Sequence, residues 1–81
     1  MKVAFVGLGY VGLTTAVLVA SKGINVVGID IDNSKVEMIN EGITPFFEPN
    51  LDSLLTEALK LGFFKAYSNY EALKDSDIIF I

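Results

Sequence analysis

Eighty-one residues make one small domain at most, and a hydrophobic share of 52% supplies apolar material for a core. The net charge of −4, with no basic cluster, argues against nucleic acid as a partner and leaves backbone N–H groups as the means of holding any anion. Arginine, histidine and cysteine are all absent, which excludes disulfide and thiolate chemistry and removes the commonest general base.

Residues 3–6 are uncharged and run into Gly7, Gly9 and Gly12, after which a helix-forming stretch begins. A strand is predicted at 2–6 and a helix at about 11–22, with the glycines at the junction. Gly7 would allow a tight turn, Gly9 would leave room for a pyrophosphate against the backbone, and Gly12 would let the helix approach the strand. The helix N-terminus would then face the phosphates with free N–H groups. A second strand at 25–29 closes on Asp30, eighteen residues past Gly12, near the spacing at which a carboxylate meets the adenosine ribose. This sequence of strand, turn, helix, strand and acid points to a bound dinucleotide. The plainer alternative is a βαβ unit whose glycines only make turns. With Asp30 where a 2′-phosphate would sit, and no arginine, NAD is preferred over NADP.

Residues 3–20 carry no charge, as a signal peptide or membrane anchor would. Three glycines in six residues make that segment a poor helix, and the strand and acid that follow do not fit a membrane reading. A cytoplasmic protein without membrane contact is expected.

Ser34 and Glu37 suggest a capping box for a helix at 34–41, which Gly42 would end. About thirty residues separate the second and third strands, roughly twice a minimal helical crossover. The surplus holds Gly42-Ile-Thr-Pro-Phe-Phe-Glu-Pro49, read as a rigid surface loop; its phenylalanines read as cover for the sheet edge, with direct contact to a ligand as the alternative. Asn50 can cap a helix at 51–61, where Leu51, Leu54, Leu55, Ala58 and Leu59 share one face. That face reads as core; a partner-binding stripe is the sharper alternative. A strand at 63–67, a short helix at 69–75 begun by a Ser68–Glu71 capping box, and a strand at 77–81 complete the pattern. Continuous apolar runs alternating with helices specify an α/β fold, a Rossmann-type parallel sheet of order 3-2-1-4 with helices on both faces. The cofactor crevice is expected between the first and fourth strands, where the order reverses. A chain stopping inside an apolar strand is expected to be truncated, so residues 1–81 read as the N-terminal part of a dinucleotide-binding domain in a larger protein.

Four segments carry a resemblance to the UDP-glucose/GDP-mannose dehydrogenase family, nearest its UDP-glucose 6-dehydrogenase branch. They are Gly7-Leu-Gly-Tyr-Val-Gly-Leu13, Gly28-Ile-Asp-Ile-Asp32 with Lys35 and Val36, Gly42 through Glu48-Pro-Asn-Leu51, and Ser76-Asp-Ile-Ile-Phe-Ile81. The resemblance implies that Tyr10 and Val11 contact the pyrophosphate through their backbone, that Asp30 binds the ribose hydroxyls, and that Lys35 reaches the cofactor. From the residues alone, a lysine in a helix's first turn needs an anion or solvent. Asn50 stands where the family usually has glycine; asparagine tolerates a left-handed backbone, so the turn is expected to survive. The resemblance further implies a homo-oligomeric oxidoreductase that oxidises UDP-glucose to UDP-glucuronate with two NAD, the nucleotide sugar and the catalytic residues being held by downstream regions. UDP-N-acetylmannosamine and GDP-mannose dehydrogenases stay open within the family. A non-catalytic NAD-sensing regulatory module is the alternative outside it. No catalytic residue and no metal site is assigned in this chain.

Overall fold

The computed structural model describes all 81 residues. In chain order it has β1 (Lys2–Val6), α1 (Tyr10–Ala20), β2 (Asn25–Ile29), α2 (Asn33–Asn40), α3 (Leu51–Leu61), β3 (Phe64–Tyr67), a 3₁₀ turn (Tyr70–Leu73) and β4 (Ile78–Phe80). All four strands are parallel, in the expected order β3-β2-β1-β4.

Register fixes which side chains share a face. Val3 lies beside Val26 and Val26 beside Phe64, while Phe5, Gly28 and Ala66 align two residues on. On this face Leu13, Ala16, Val17 and Ala20 of α1, Val36 and Ile39 of α2, and Leu51, Leu55 and Ala58 of α3 join the strands in one buried cluster. Leu51 and Leu55 of α3 are therefore core, Leu54 and Leu59 pack partly buried against it, and Leu61 is exposed. Each fully buried leucine stabilises the fold by about 1.5–3 kcal/mol. The opposite face, with Val27 and Tyr67, carries only the 3₁₀ turn, so helical structure covers both faces unequally. No helix is long and apolar enough to cross a membrane.

Several helix starts differ from expectation. Ser34 does not cap α2; Asp32 does, its side chain accepting from the Lys35 N–H at 3.1 Å. Asn69 likewise displaces Ser68, accepting from the Glu71 N–H at 3.0 Å, and the helix expected at 69–75 contracts to one 3₁₀ turn. In both cases the acceptor sits on extended backbone just ahead of the turn, where a short Asx side chain reaches the free N–H groups. Asn50 does precede α3, at φ 68°, but its side chain makes no capping bond; its contribution is the left-handed backbone. At the far end of α3, Gly62 adopts φ 81° and the Phe63 N–H returns to the Ala58 carbonyl, closing the helix as expected.

The outer edge of β3 is managed by one residue. Asn40, at the end of α2, donates from Nδ2 to the Ala66 carbonyl and accepts the Ala66 N–H at Oδ1, both at 2.9 Å. Its amide thus supplies the pairing that a neighbouring strand would. On the other edge, Ile78, Ile79 and Phe80 of β4 are 41–51% exposed.

Candidate functional site

The glycine turn is held by contacts that depend on missing side chains. Gly7 takes φ 95°, and its N–H donates to the Ile29 carbonyl at 2.7 Å, extending the β1–β2 pairing past the strand end. A Cβ at Gly12 would collide with the Gly7 carbonyl, so α1 can approach β1 only because that atom is absent. Gly9 has the opposite surroundings: a Cβ there would meet nothing within 4 Å. Gly9 precedes α1 on extended backbone, no side chain caps the helix, and no acid lies in its first turn. The first N–H groups of α1 thus remain available to an anion, with Tyr10 and Val11 53% and 73% exposed beside them.

Between the glycines, Leu8 is fully buried. It sits over Gly28, where a Cβ would come within 2.7 Å of the Leu8 side chain and 3.1 Å of Phe64. Sequence reasoning quoted Gly28 only for resemblance and missed this packing. A glycine between the β-branched Val27 and Ile29 inside a strand was the available signal.

Asp30 closes the turn. Its backbone N–H donates to the Tyr67 carbonyl at 3.1 Å, which fixes it at the strand end. Its carboxylate accepts from the Leu8 N–H at 2.9 Å and the Asp32 N–H at 3.0 Å, and the Lys35 ammonium lies 3.3 Å away. The acid at the end of β2 is therefore directly bonded to the glycine loop, and the anion that Lys35 needs is Asp30. Burial pushes the Asp30 carboxyl upward, but the N–H groups of Asp32 and Leu8 and the Lys35 ammonium together outweigh it and hold it below the usual carboxylate range.

A crevice of about 350 Å³ opens between the ends of β1 and β4 and the start of α1, lined by Val6, Gly7, Val11, Gly12, Thr15 and Phe80 among others. Phe5 and Phe80 stack in its floor, with centroids 4.9 Å apart. This is the point where strand order reverses, the usual place for a ligand in an open parallel sheet. A larger hollow of about 580 Å³ lies along β2 and β3, walled by Asn25, Asn40, Phe63 and Lys65, away from the turn and without its free N–H groups. The crevice, the uncapped helix and Asp30 together fit a dinucleotide: diphosphate at the helix start, ribose at the acid.

The inserted segment also meets the turn, which sequence reasoning did not foresee. The Tyr10 hydroxyl donates to Glu48 Oε1, and the Tyr10 ring lies tilted on Phe46 with centroids 5.1 Å apart. The Glu48 hydrogen bond, followed by its negative charge, raises the Tyr10 phenol above its ordinary range. The two phenylalanines do not jointly cover a sheet edge. Phe46 packs at the margin of the core and against Tyr10, whereas Phe47 is 90% exposed.

Comparison with known proteins agrees with this geometry. Residues 1–81 match the family model described as the UDP-glucose/GDP-mannose dehydrogenase family, NAD binding domain. The whole chain is 43% identical to 19% of the length of UDP-N-acetyl-D-mannosamine dehydrogenase from Pyrococcus horikoshii. In the crystal structure of a ternary complex of GDP-mannose dehydrogenase from Pseudomonas aeruginosa, 18% of that chain superposes on 98% of this one, with TM-score 0.93 and 34% identity. A UDP-glucose dehydrogenase from Pyrobaculum islandicum gives TM-score 0.90 and 35% identity over 96% of this chain and 18% of its own. The chain spans about a fifth or less of the length of the curated relatives it matches. Glycine turn, strand-end acid, sheet order and family match converge: the chain belongs to the UDP-glucose/GDP-mannose dehydrogenase family, whose NAD-binding domain model it matches over all 81 of its own residues.

Proposed function

We propose that these residues form the N-terminal part of the NAD-binding domain of a nucleotide-sugar 6-dehydrogenase. The observation that carries the proposal is the Leu8 N–H to Asp30 hydrogen bond of 2.9 Å, which joins the strand-end acid to the glycine turn. In this reading the backbones of Gly7, Gly9, Tyr10, Val11 and Gly12 seat the diphosphate. Asp30 accepts from the ribose hydroxyls, and Lys35 steadies that carboxylate and reaches toward the cofactor. NAD, when bound, supplies the hydride acceptor. The chain's own residues bind and orient it, and Asp30 repels the extra phosphate of NADP.

The family resemblance extends the proposal to oxidation of the sugar C6 alcohol to a carboxylate with two NAD, in a cytoplasmic homo-oligomer. Relatives named for three different sugar nucleotides lie between 34% and 43% identity, so the sugar is assigned to regions beyond this segment; UDP-glucose is one of three candidates. Neither the family model nor these relatives support the NAD-sensing regulatory alternative. The test is the full-length protein assayed with UDP-glucose, UDP-N-acetylmannosamine and GDP-mannose. One of them should yield its uronate with two NADH per sugar, and NADP should substitute poorly. Failure to bind NAD would overturn the proposal.

A further inference from the structure

The inserted loop touches the cofactor turn at one residue, and that contact contributes little to the core. Tyr10 is 53% exposed and its hydrogen bond to Glu48 lies at the surface, so neither adds much buried area. The loop itself is stiff. Pro45 and Pro49 restrict the backbone, Thr44 Oγ1 donates to the Phe46 carbonyl at 3.0 Å, and the Leu51 N–H donates to the Glu48 carbonyl at 3.1 Å. Beyond it, Leu51 is anchored in the core at 2% exposure. Glu48 and Phe46 are thus presented on a rigid support, and both meet Tyr10, the first residue of α1.

We infer that Glu48 and Phe46 are positioning residues for NAD, holding the Tyr10 side chain so that the first turn of α1 keeps its N–H groups aimed at the diphosphate. The inference rests on the dinucleotide reading proposed above. Uncapped first turns fray, and an N–H group that wanders loses directional bonding to an anion. A side-chain tether at the first helical residue limits that motion, and the insertion supplies it from residues that do not line the crevice. Sugar binding, assigned elsewhere, should not respond.

The test is NAD titration and steady-state kinetics of the full-length protein with Glu48→Ala, Glu48→Gln, Tyr10→Phe and Phe46→Ala. Loss of this exposed hydrogen bond, of the ordinary net strength, should weaken NAD binding about three- to tenfold in Glu48→Ala and Tyr10→Phe. In Glu48→Ala the KM for NAD should rise while kcat and the KM for the sugar nucleotide stay within about twofold. Glu48→Gln, which keeps an acceptor, should restore affinity, and the Tyr10→Phe/Glu48→Ala double variant should be no weaker than either single one. Phe46→Ala should weaken NAD by a similar factor. Unmodified protein that binds NAD together with a Glu48→Ala variant that binds it equally well would overturn this inference and leave the dinucleotide reading standing. Absence of NAD binding by the unmodified protein would remove both.

Discussion

The glycine turn with Asp30 and the inserted loop at residues 42–50 flank the same helix start but are built from different materials. In the turn, contacts are made by main chain and by atoms that are absent: the Gly12 position abuts the Gly7 carbonyl, and Leu8 fills the space above Gly28. In the loop, contacts are made by side chains at the surface, Glu48 on the Tyr10 hydroxyl and Phe46 on its ring. Backbone cannot yield, whereas an exposed side chain can rotate away. Substitutions should therefore be severe in the first region and graded in the second.

Gly12→Ala presses hardest on that difference. The added methyl meets backbone on the neighbouring strand end, so α1 must lift from β1 or the turn must deform. Destabilisation of about 3 kcal/mol, the upper end for overpacking, is expected in urea unfolding, together with loss of NAD binding. A stable Gly12→Ala protein with unchanged affinity would erase the contrast between the regions.

Asp30→Asn comes next. It keeps the side-chain shape but removes the charge that accepts from two backbone N–H groups and pairs with Lys35. A cost of about 2 kcal/mol at neutral pH is expected for charge-assisted bonds of this kind. The pH dependence has a definite sign. Because the folded-state pKa is depressed, the stability from Asp30 is complete above the unfolded carboxylate value of about 3.9 and is lost as pH falls through the lower folded value. Unfolding curves of the unmodified and Asp30→Asn proteins should therefore converge as the solution is acidified below that point and diverge above it.

Asn40→Ala is a smaller perturbation, away from the site. Two hydrogen bonds to Ala66 disappear, and the edge of β3 is left open to solvent. About 1 kcal/mol of stability should be lost, with faster amide exchange at Ala66 and no change in NAD affinity.

The same distinction between main-chain and side-chain contacts explains what could be read from the chain. β1, β2 and α3 fall on their expected residues, and the observed sheet order is the one that right-handed crossovers between parallel apolar runs lead one to expect. The turn was legible because backbone constraints leave a fixed trace, a glycine at a fixed spacing. The helix caps at Asp32 and Asn69 were misplaced onto Ser34 and Ser68 because neighbouring polar residues compete within two positions, and the winner depends on where the chain leaves extended geometry. The Asn40–Ala66 and Tyr10–Glu48 pairs were illegible for another reason. They join residues 26 and 38 apart, and no local pattern marks a side chain that reaches that far.

Asn50 gives the finest test, because it belongs to the loop yet obeys the rule of the turn. At φ 68° its backbone occupies the left-handed region, and its side chain makes no capping bond that would offset the cost. If the residue is retained for its backbone, Asn50→Gly relieves the conformation but enlarges the freedom of the unfolded chain. The two effects nearly cancel, and stability should stay within about 0.5 kcal/mol. Asn50→Ala has no such relief and should cost about 1 kcal/mol. Because Leu51 follows at once and anchors α3, a strained residue 50 would also shift Glu48 relative to Tyr10. Asn50→Ala should therefore lower NAD affinity slightly while Asn50→Gly leaves it unchanged. Equal behaviour of the two variants would mean that the loop, unlike the turn, sets no demand on its backbone.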